Sequence, residues 1–313
     1  MGSVFAGSAL AFLGIFAAVG AIAGGILGAV KGSSALRRVI EGALLTFVGG
    51  LVARLFIYLL LSIGNHSPGA HLVIGWAFLL WPGAVDTVAL LFGGPLLTTP
   101  GALLWIATAV GAFTGFMSGI RLVYNWGAAG IPSFLLDITW GMAGSTNGCL
   151  LHLFNLVFGT HSGDERIEAH RYQQGFHVPG HPTFAFTQGA VMSNLSDPPG
   201  SPLFLHEHTH VWQNRFAGPL YTLSYLGWMV IMFLPGLIAG AAGAGAGQGI
   251  EQWCYFNNPW EAWGYKVQHD HGDGPRTNFG TMVWSDGLVL GVAVPYFLLF
   301  LGFFVILVSL VWL

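Results

Sequence analysis

The stretch Leu203–Phe216, LFLHEHTHVWQNRF, has three histidines and a glutamate in a run that predicts one short helix. His206 and His210 are four residues apart, so a helix places them on one face, at the spacing that binds a single metal ion. Glu207 is offset by about 100° around the helix and can reach a water beside that ion without being a ligand. The H-E-x-x-H spacing therefore predicts His206 and His210 as zinc ligands and Glu207 as the catalytic base.

A zinc site with two histidines needs another protein ligand, which usually comes from a following helix and leaves the fourth position open to water. Downstream, Asn258-Pro259-Trp260-Glu261 places an acidic residue at a predicted helix start. Glu261 is the predicted third ligand. Glu251 is the alternative, because it also follows the HExxH helix closely.

These residues resemble the gluzincin-like zinc metallopeptidases in their membrane-embedded form, in which an HExxH helix is followed by a glutamate in an N-P-x-E setting. The resemblance covers Phe176 to Tyr265 and extends to integral-membrane prenyl-protein endopeptidases and bacterial membrane metalloproteases. It includes Thr183 to Ser193, TFAFTQGAVMS, which looks like the strand that lines the substrate groove. After Glu261, the residues Ala262 to Tyr265 depart from the family's usual small residue and aspartate.

The resemblance implies a zinc-dependent endopeptidase that acts on a peptide or protein. Tyr265, Tyr221 or His177 could stabilise the oxyanion, and the sequence does not choose among them. The predicted strand at 183–193 could pair with an extended substrate, which is how many proteases present the bond to be cleaved.

Composition predicts the surroundings of this site. Of the 313 residues, 54% are hydrophobic and 7% are charged, whereas about a quarter of a soluble globular domain is charged. We therefore expect a mainly α, multi-pass membrane helical bundle with a small extramembrane α+β insertion. The net charge of −3 gives no reason to expect a nucleic-acid partner. Cys149 and Cys254 have no metal-binding spacing and are interpreted as apolar fillers, and the N-terminus lacks the basic region of a cleavable signal peptide.

Apolar runs divide the chain into three parts. Residues 1–158 are predicted to form the bundle, 159–280 the HExxH region, and 281–313 a C-terminal membrane helix. Runs long enough to cross a bilayer of about 30 Å lie near residues 4–30, 39–63, 71–92, 102–124 and 132–158. If the basic loop at 31–38 is cytoplasmic, five crossings place the HExxH region on the cytoplasmic side as well. If the run 132–158 is only interfacial, the site faces outward instead.

Isolated features within these runs predict helix packing. Gly20, Gly24 and Gly28 repeat every four residues, which lets another helix approach closely, either within the chain or from a membrane-protein partner. Arg54 and Asp86 are single charges within apolar runs, and we expect an ion pair between them, since charges at membrane depth are costly.

The segment 219–249 raises a question of topology. One crossing would separate Glu261 from the two histidines by the thickness of the membrane, so we predict an apolar hairpin broken at Pro235-Gly236. A later cluster, His269, Asp270, His271 and Asp273, is either a solvated loop or a second metal site.

A different class of function also fits the sequence. With 12 tryptophans and 24 phenylalanines, the chain suits a tightly packed, non-catalytic membrane subunit of a larger assembly that keeps a structural or vestigial metal site.

Overall fold

The computed structural model describes residues 6–32, 34–127, 129–163, 165–180, 182–244, 249–272, 291 and 293–312. The chain is mainly helical and has a small sheet, as predicted. Its α-helices are α1 (Gly7–Lys31), α2 (Ala35–Ile63), α3 (Pro68–Ile74), α4 (Trp81–Ala89), α5 (Pro100–Arg121), α6 (Gly130–Asp137), α7 (Met142–Phe158), α8 (Pro202–Ala217), α9 (Pro219–Ala239), α10 (Pro259–Asp270) and α11 (Val294–Trp312). The strands are β1 (Thr160–His161), β2 (His170–Gln174), β3 (Phe186–Gln188) and β4 (Val191–Ser193).

Four helical segments are long and apolar enough to cross a membrane: Gly7–Lys31, Ala35–Ile63, Pro100–Arg121 and Pro219–Gly243. The first three pack together through small residues. A Cβ at Gly20, Gly24 or Gly28 would collide with backbone atoms of α2, so this stripe lets the two helices touch. The Gly20, Gly24, Gly28 face is therefore covered by α2 of the same chain and is not an open surface for a partner.

Helix α7 turns polar side chains inward and several apolar ones outward. On α7, the side chains of Ser145, Thr146, His152 and Asn155 are buried, whereas Leu150, Leu153, Phe154, Val157 and Phe158 are exposed. An exposed apolar surface of this extent indicates contact with another apolar phase.

Two of the predicted crossings are interrupted. The run 71–92 is not one helix: α3 continues into a π-helical turn, Gly75–Leu79, and Leu80 adopts a positive φ of 60° before α4 begins. The chain folds back there, because Trp76 Nε1 donates to Thr87 Oγ1 at 2.8 Å. The run 132–158 is divided between α6 and α7.

The predicted ion pair between Arg54 and Asp86 is wrong. Arg54 donates to Thr108 Oγ1 at 3.2 Å, and its guanidinium lies 5.4 Å from the centroid of the Trp105 ring. Asp86 accepts hydrogen bonds from the backbone amides of residues 96–98 instead. Each charge is thus satisfied within its own neighbourhood, as a buried charge must be.

The strands form a four-stranded sheet in the order β1-β2-β4-β3. β2 and β4 are parallel, and the other two pairs are antiparallel. The single strand predicted over Thr183–Ser193 is a hairpin, because Gly189, at a φ of 56°, turns the chain between β3 and β4. β3 lies at the edge of the sheet, beside α8.

Between α8 and α10 the chain runs away from the HExxH helix along α9 and then folds back towards it. The predicted break at Pro235-Gly236 is wrong, because α9 continues through Pro235. The chain has reversed by Gly249, which lies against Gly236, and the π-helical segment Glu251–Phe256 packs back along α9. Trp228 Nε1 donates to Trp253 O at 3.0 Å across this contact.

The C-terminal part is described from Val294 onward as α11. Its Tyr296 ring packs edge-on against Trp228 of α9, with 5.1 Å between the ring centroids. The remainder of the predicted 281–313 unit falls mostly outside the described residues.

Candidate metal centre

Two short, capped helices build the site. At the start of α8, Ser201 Oγ accepts from the Phe204 amide at 3.3 Å, and Pro202 occupies the first turn. At the start of α10, Asn258 Oδ1 accepts from the Trp260 amide at 3.2 Å, and Pro259 occupies the first turn. Side-chain caps of this kind satisfy amides that have no partner within the helix. They fix the turns that carry the HExxH motif and Glu261.

The structure brings His206, His210 and Glu261 together. The Nε2 atoms of the two histidines are 3.1 Å apart, and the Glu261 carboxylate lies 3.3 Å from His206 Nε2 and 3.5 Å from His210 Nε2. All three side chains are buried. Within the described ranges, this is the one group of three or more His, Cys, Asp or Glu residues placed to hold a metal ion.

Gln213 sets the tautomer of His210. Its amide nitrogen donates to the Trp260 carbonyl at 3.0 Å, which turns its oxygen towards His210 Nδ1 at 2.8 Å. Since that oxygen only accepts, the neutral ring carries its proton on Nδ1 and leaves the Nε2 lone pair towards Glu261. A second hydrogen-bond partner that orients a ligating imidazole is typical of metal sites.

The electrostatics favour a cation between these groups. Burial opposes a positive charge on His210, but the neighbouring Glu261 carboxylate raises the pKa of His210 to about 9. Burial also opposes the charge on Glu261, yet the imidazole of His210 holds the pKa of that carboxyl well below its usual range. A metal ion and a proton would therefore compete for His210 Nε2.

Two buried polar atoms at the site lack a hydrogen bond within the described part of the chain. They are His206 Nδ1 and Glu261 Oε2. The donor set fits zinc, which two imidazole nitrogens and one carboxylate commonly bind, and an ion would satisfy Glu261 Oε2.

Glu207 lies beside this group without belonging to it. Its Oε2 accepts from Thr187 Oγ1 at 2.6 Å, and Thr187 is on the edge strand β3. Glu207, His210 and Glu261 all line a cavity of about 820 Å³. Glu207 therefore faces the same cavity as two of the three candidate ligands.

The three residues suggested for the oxyanion take different places. The Tyr265 ring packs on His206, with 4.4 Å between centroids, and Tyr221 OH lies 3.3 Å from His210 Nδ1, behind the ring rather than at Nε2. His177 is exposed and does not line the cavity. Sequence reasoning missed Tyr225, whose hydroxyl donates to Glu261 Oε1 at 2.8 Å, although its spacing of four residues from Tyr221 on α9 was a usable signal.

Gly264 makes room for the first ligand. A Cβ at this position would lie 3.0 Å from ring atoms of His206, closer than carbon atoms normally approach. A residue without a side chain is therefore needed where α10 crosses the His206 ring.

The remaining candidates do not join the site. Glu251, the alternative third ligand, lines the cavity but lies outside the ligand group. His208 points away and hydrogen-bonds Ile167 O at 3.0 Å, and burial lowers its pKa to about 4. In the His269–Asp273 cluster, Asp270 pairs with Lys266 at 3.1 Å, and none of the cluster's described residues belongs to a group placed to hold a metal ion. Asp273 lies outside the described residues.

Comparison with known proteins does not identify a family. No family model matches the chain, and neither a curated protein nor a solved structure matches it.

Proposed function

We propose that this protein is a membrane-embedded zinc metallopeptidase that hydrolyses peptide bonds with a water activated at His206, His210 and Glu261. The observation that carries the proposal is the burial of these three ligands against one another, with Glu207 facing the same cavity. A purely structural metal site needs neither a fourth open position nor an acidic residue beside it.

The residues around the site would have separate roles in hydrolysis. Zinc, when bound by the triad, would lower the pKa of a water in its open position and polarise the substrate carbonyl. Thr187 holds one oxygen of Glu207, and the other oxygen accepts the proton of the attacking water and then delivers it to the leaving nitrogen. Tyr225 fixes the orientation of the Glu261 carboxylate through its hydroxyl.

The edge strand β3 supports a peptide as substrate. Among the described strands, β3 pairs with β4 alone, and Thr187 of β3 touches Glu207. A peptide in extended conformation can add to such an edge through its backbone, which brings its carbonyl groups past the catalytic base.

The four long apolar helices and the exposed apolar faces around them support membrane embedding. Arg166 of the HExxH region pairs with Glu41 of α2 at 3.3 Å, near the end of the bundle that carries the basic loop. If that loop is cytoplasmic, this part of the HExxH region lies at the cytoplasmic face.

Zinc-dependent cleavage tests the proposal. Purified protein in detergent, loaded with zinc, is incubated with a synthetic peptide mixture that samples all residue types, and products are read by mass spectrometry. We expect cleavage by the natural sequence and loss of cleavage in Glu207→Gln with zinc content retained. Stoichiometric zinc without any cleavage would instead favour the non-catalytic subunit with a structural metal.

A further inference from the structure

We propose that the cavity beside the metal centre selects a large apolar residue next to the cleaved bond of a peptide that enters between α7 and α9. This inference rests on the proposed peptidase function and goes beyond it, because it names the substrate class and the route of entry. The observations are the lining of the cavity, the character of its mouth and the position of the edge strand.

The cavity combines a few polar groups with a largely apolar lining. Glu207, His210 and Glu261 connect it to the metal centre, and most of the other lining residues are aromatic or aliphatic. Phe154, Phe176 and Phe186 form one wall through an edge-on and a tilted ring contact, with successive ring centroids 5.3 and 5.1 Å apart. A pocket with a few convergent polar groups and a largely apolar lining fits a bulky apolar group whose hydrolysable bond lies beside those polar groups.

The apolar wall faces helix α9. Leu226 and Met229 line the cavity from α9, and Tyr255 lines it from the returning π-helical segment. No lysine or arginine lies among the residues that line the cavity in the described part of the chain. At the apolar wall, an acidic side chain of a substrate would therefore find no lysine or arginine partner and would lose its hydration without compensation.

The mouth is apolar as well. Trp81, Leu150, Phe154 and Leu226 line the cavity and are also exposed on the outer surface. These side chains come from the tip of the α3–α4 turn, from α7 and from α9, so the opening lies between helices and not among the polar loops. An opening of this kind favours a substrate that approaches along the apolar surface of the bundle.

A peptide fits this site better than a lipid chain does. Phe186, Thr187 and Gln188, the whole of β3, line the cavity, so a backbone paired with this strand would direct alternate side chains into it. An acyl chain has no backbone groups to pair with the edge of a sheet. We therefore assign the cavity to a side chain of an extended, apolar peptide segment.

Competing peptides test the selectivity. Two synthetic peptides in detergent, identical except for a central phenylalanine or serine, are offered together to the zinc-loaded protein, and cleavage is quantified by mass spectrometry. We expect kcat/KM for the phenylalanine peptide to be higher by roughly 10-fold or more, as filling an apolar pocket commonly gives. Equal rates would overturn this inference and leave the peptidase function standing, whereas cleavage of neither peptide would overturn the function itself.

Matched variants test the location. Met229→Trp fills the cavity and should reduce the preference for phenylalanine, and Met229→Ala, which adds no bulk, should retain it. Val230→Trp places the same ring on the next residue, which is exposed and does not line the cavity, and should leave the preference unchanged. An identical preference in both tryptophan variants, each with full zinc content, would overturn the assignment.

Two further measurements separate binding from chemistry. In Glu207→Gln, a peptide with a central benzoylphenylalanine should crosslink on illumination to α7 or α9, and crosslinks found only elsewhere would contradict the route.

Phosphatidylcholine vesicles serve as the lipid probe. Release of fatty acid that depends on Glu207 would overturn the assignment to a peptide.

Discussion

The guanidinium of Arg215 on α8 forms two hydrogen bonds with the carboxylate of Asp137 on α6, at 2.9 and 2.7 Å, although the residues are 78 positions apart. Neither side chain is exposed to solvent. Tyr124 OH donates to the same carboxylate at 2.8 Å, and Arg215 also donates to the backbone of Glu168. This pair fixes the C-terminal end of the HExxH helix to the helical bundle.

Removing one member of this pair should destabilise the protein strongly. Asp137→Ala leaves a buried cation without its partner, and we expect the free energy of unfolding to fall by about 3–5 kcal/mol. Equilibrium unfolding in detergent measures this. The double variant Asp137→Leu/Arg215→Met should recover much of the loss, whereas Asp270→Ala, which breaks the exposed pair with Lys266, should change little. A mild effect of Asp137→Ala would show that the pair does not anchor α8.

Zinc content should depend on the triad and not on neighbouring residues of the same type. His206→Ala and His210→Ala each remove a ligand atom, and Glu261→Gln removes the negative charge of the third ligand. We expect loss of stoichiometric zinc in elemental analysis of each purified variant. His208→Gln and Glu251→Gln are the matched controls, since His208 faces Ile167 and Glu251 lies outside the ligand group. Zinc lost from Glu251→Gln but kept in Glu261→Gln would reverse the assignment of the third ligand.

Gln213 should tune metal affinity without touching the ion. Gln213→Met keeps most of the side-chain length but no longer accepts the proton of His210 Nδ1, and we expect zinc affinity to fall by about 10–100-fold. Competition with a zinc chelator measures the affinity. Gln213→Glu retains an acceptor at the same place and should bind zinc at least as well as Gln213→Met, so the opposite order would argue against this hydrogen bond.

Two other histidines should make the fold sensitive to acid. The Gly163 amide donates to His161 Nδ1 at 3.0 Å, so the neutral His161 ring donates from Nε2 to His170 Nδ1 at 3.2 Å, and His170 Nε2 lies 3.1 Å from Ser118 Oγ. Burial lowers the pKa of both rings well below the usual value, and neighbouring groups reinforce this, among them His152 and Arg121. Both histidines are therefore neutral in the folded protein at neutral pH.

The sign of the pH effect follows from these lowered pKa values. The unfolded histidines titrate near pH 6.5, so below that pH the unfolded state binds more protons, and stability falls as the pH decreases towards the folded-state pKa. Thermal unfolding between about pH 7.5 and 5 should show this loss, and His170→Gln should make it shallower. His177→Gln, at an exposed position, should keep the original slope. An unchanged slope in His170→Gln would assign the acid sensitivity to other groups.

Local sequence determined the helices and their chemistry. His206 and His210 lie on one face of α8 because residues four positions apart on a helix are neighbours, and Glu207 lies beside His210, three positions away. Asn258 and Pro259 start α10 because they are a favoured cap and first residue of a helix, which is why Glu261 could be named from the sequence. The apolar runs of α1, α2 and α5 were long enough to be recognised without any knowledge of their neighbours.

Only the tertiary structure decided which distant residues meet. The sequence paired Arg54 with Asp86, but the fold satisfies Asp86 with backbone amides after a chain reversal at Leu80, which an apolar run does not reveal. It also brings Arg215 to Asp137, Tyr225 to Glu261 and Thr187 to Glu207. Such contacts depend on where whole helices and strands pack, because buried polar groups take whichever partner the packed elements bring within reach.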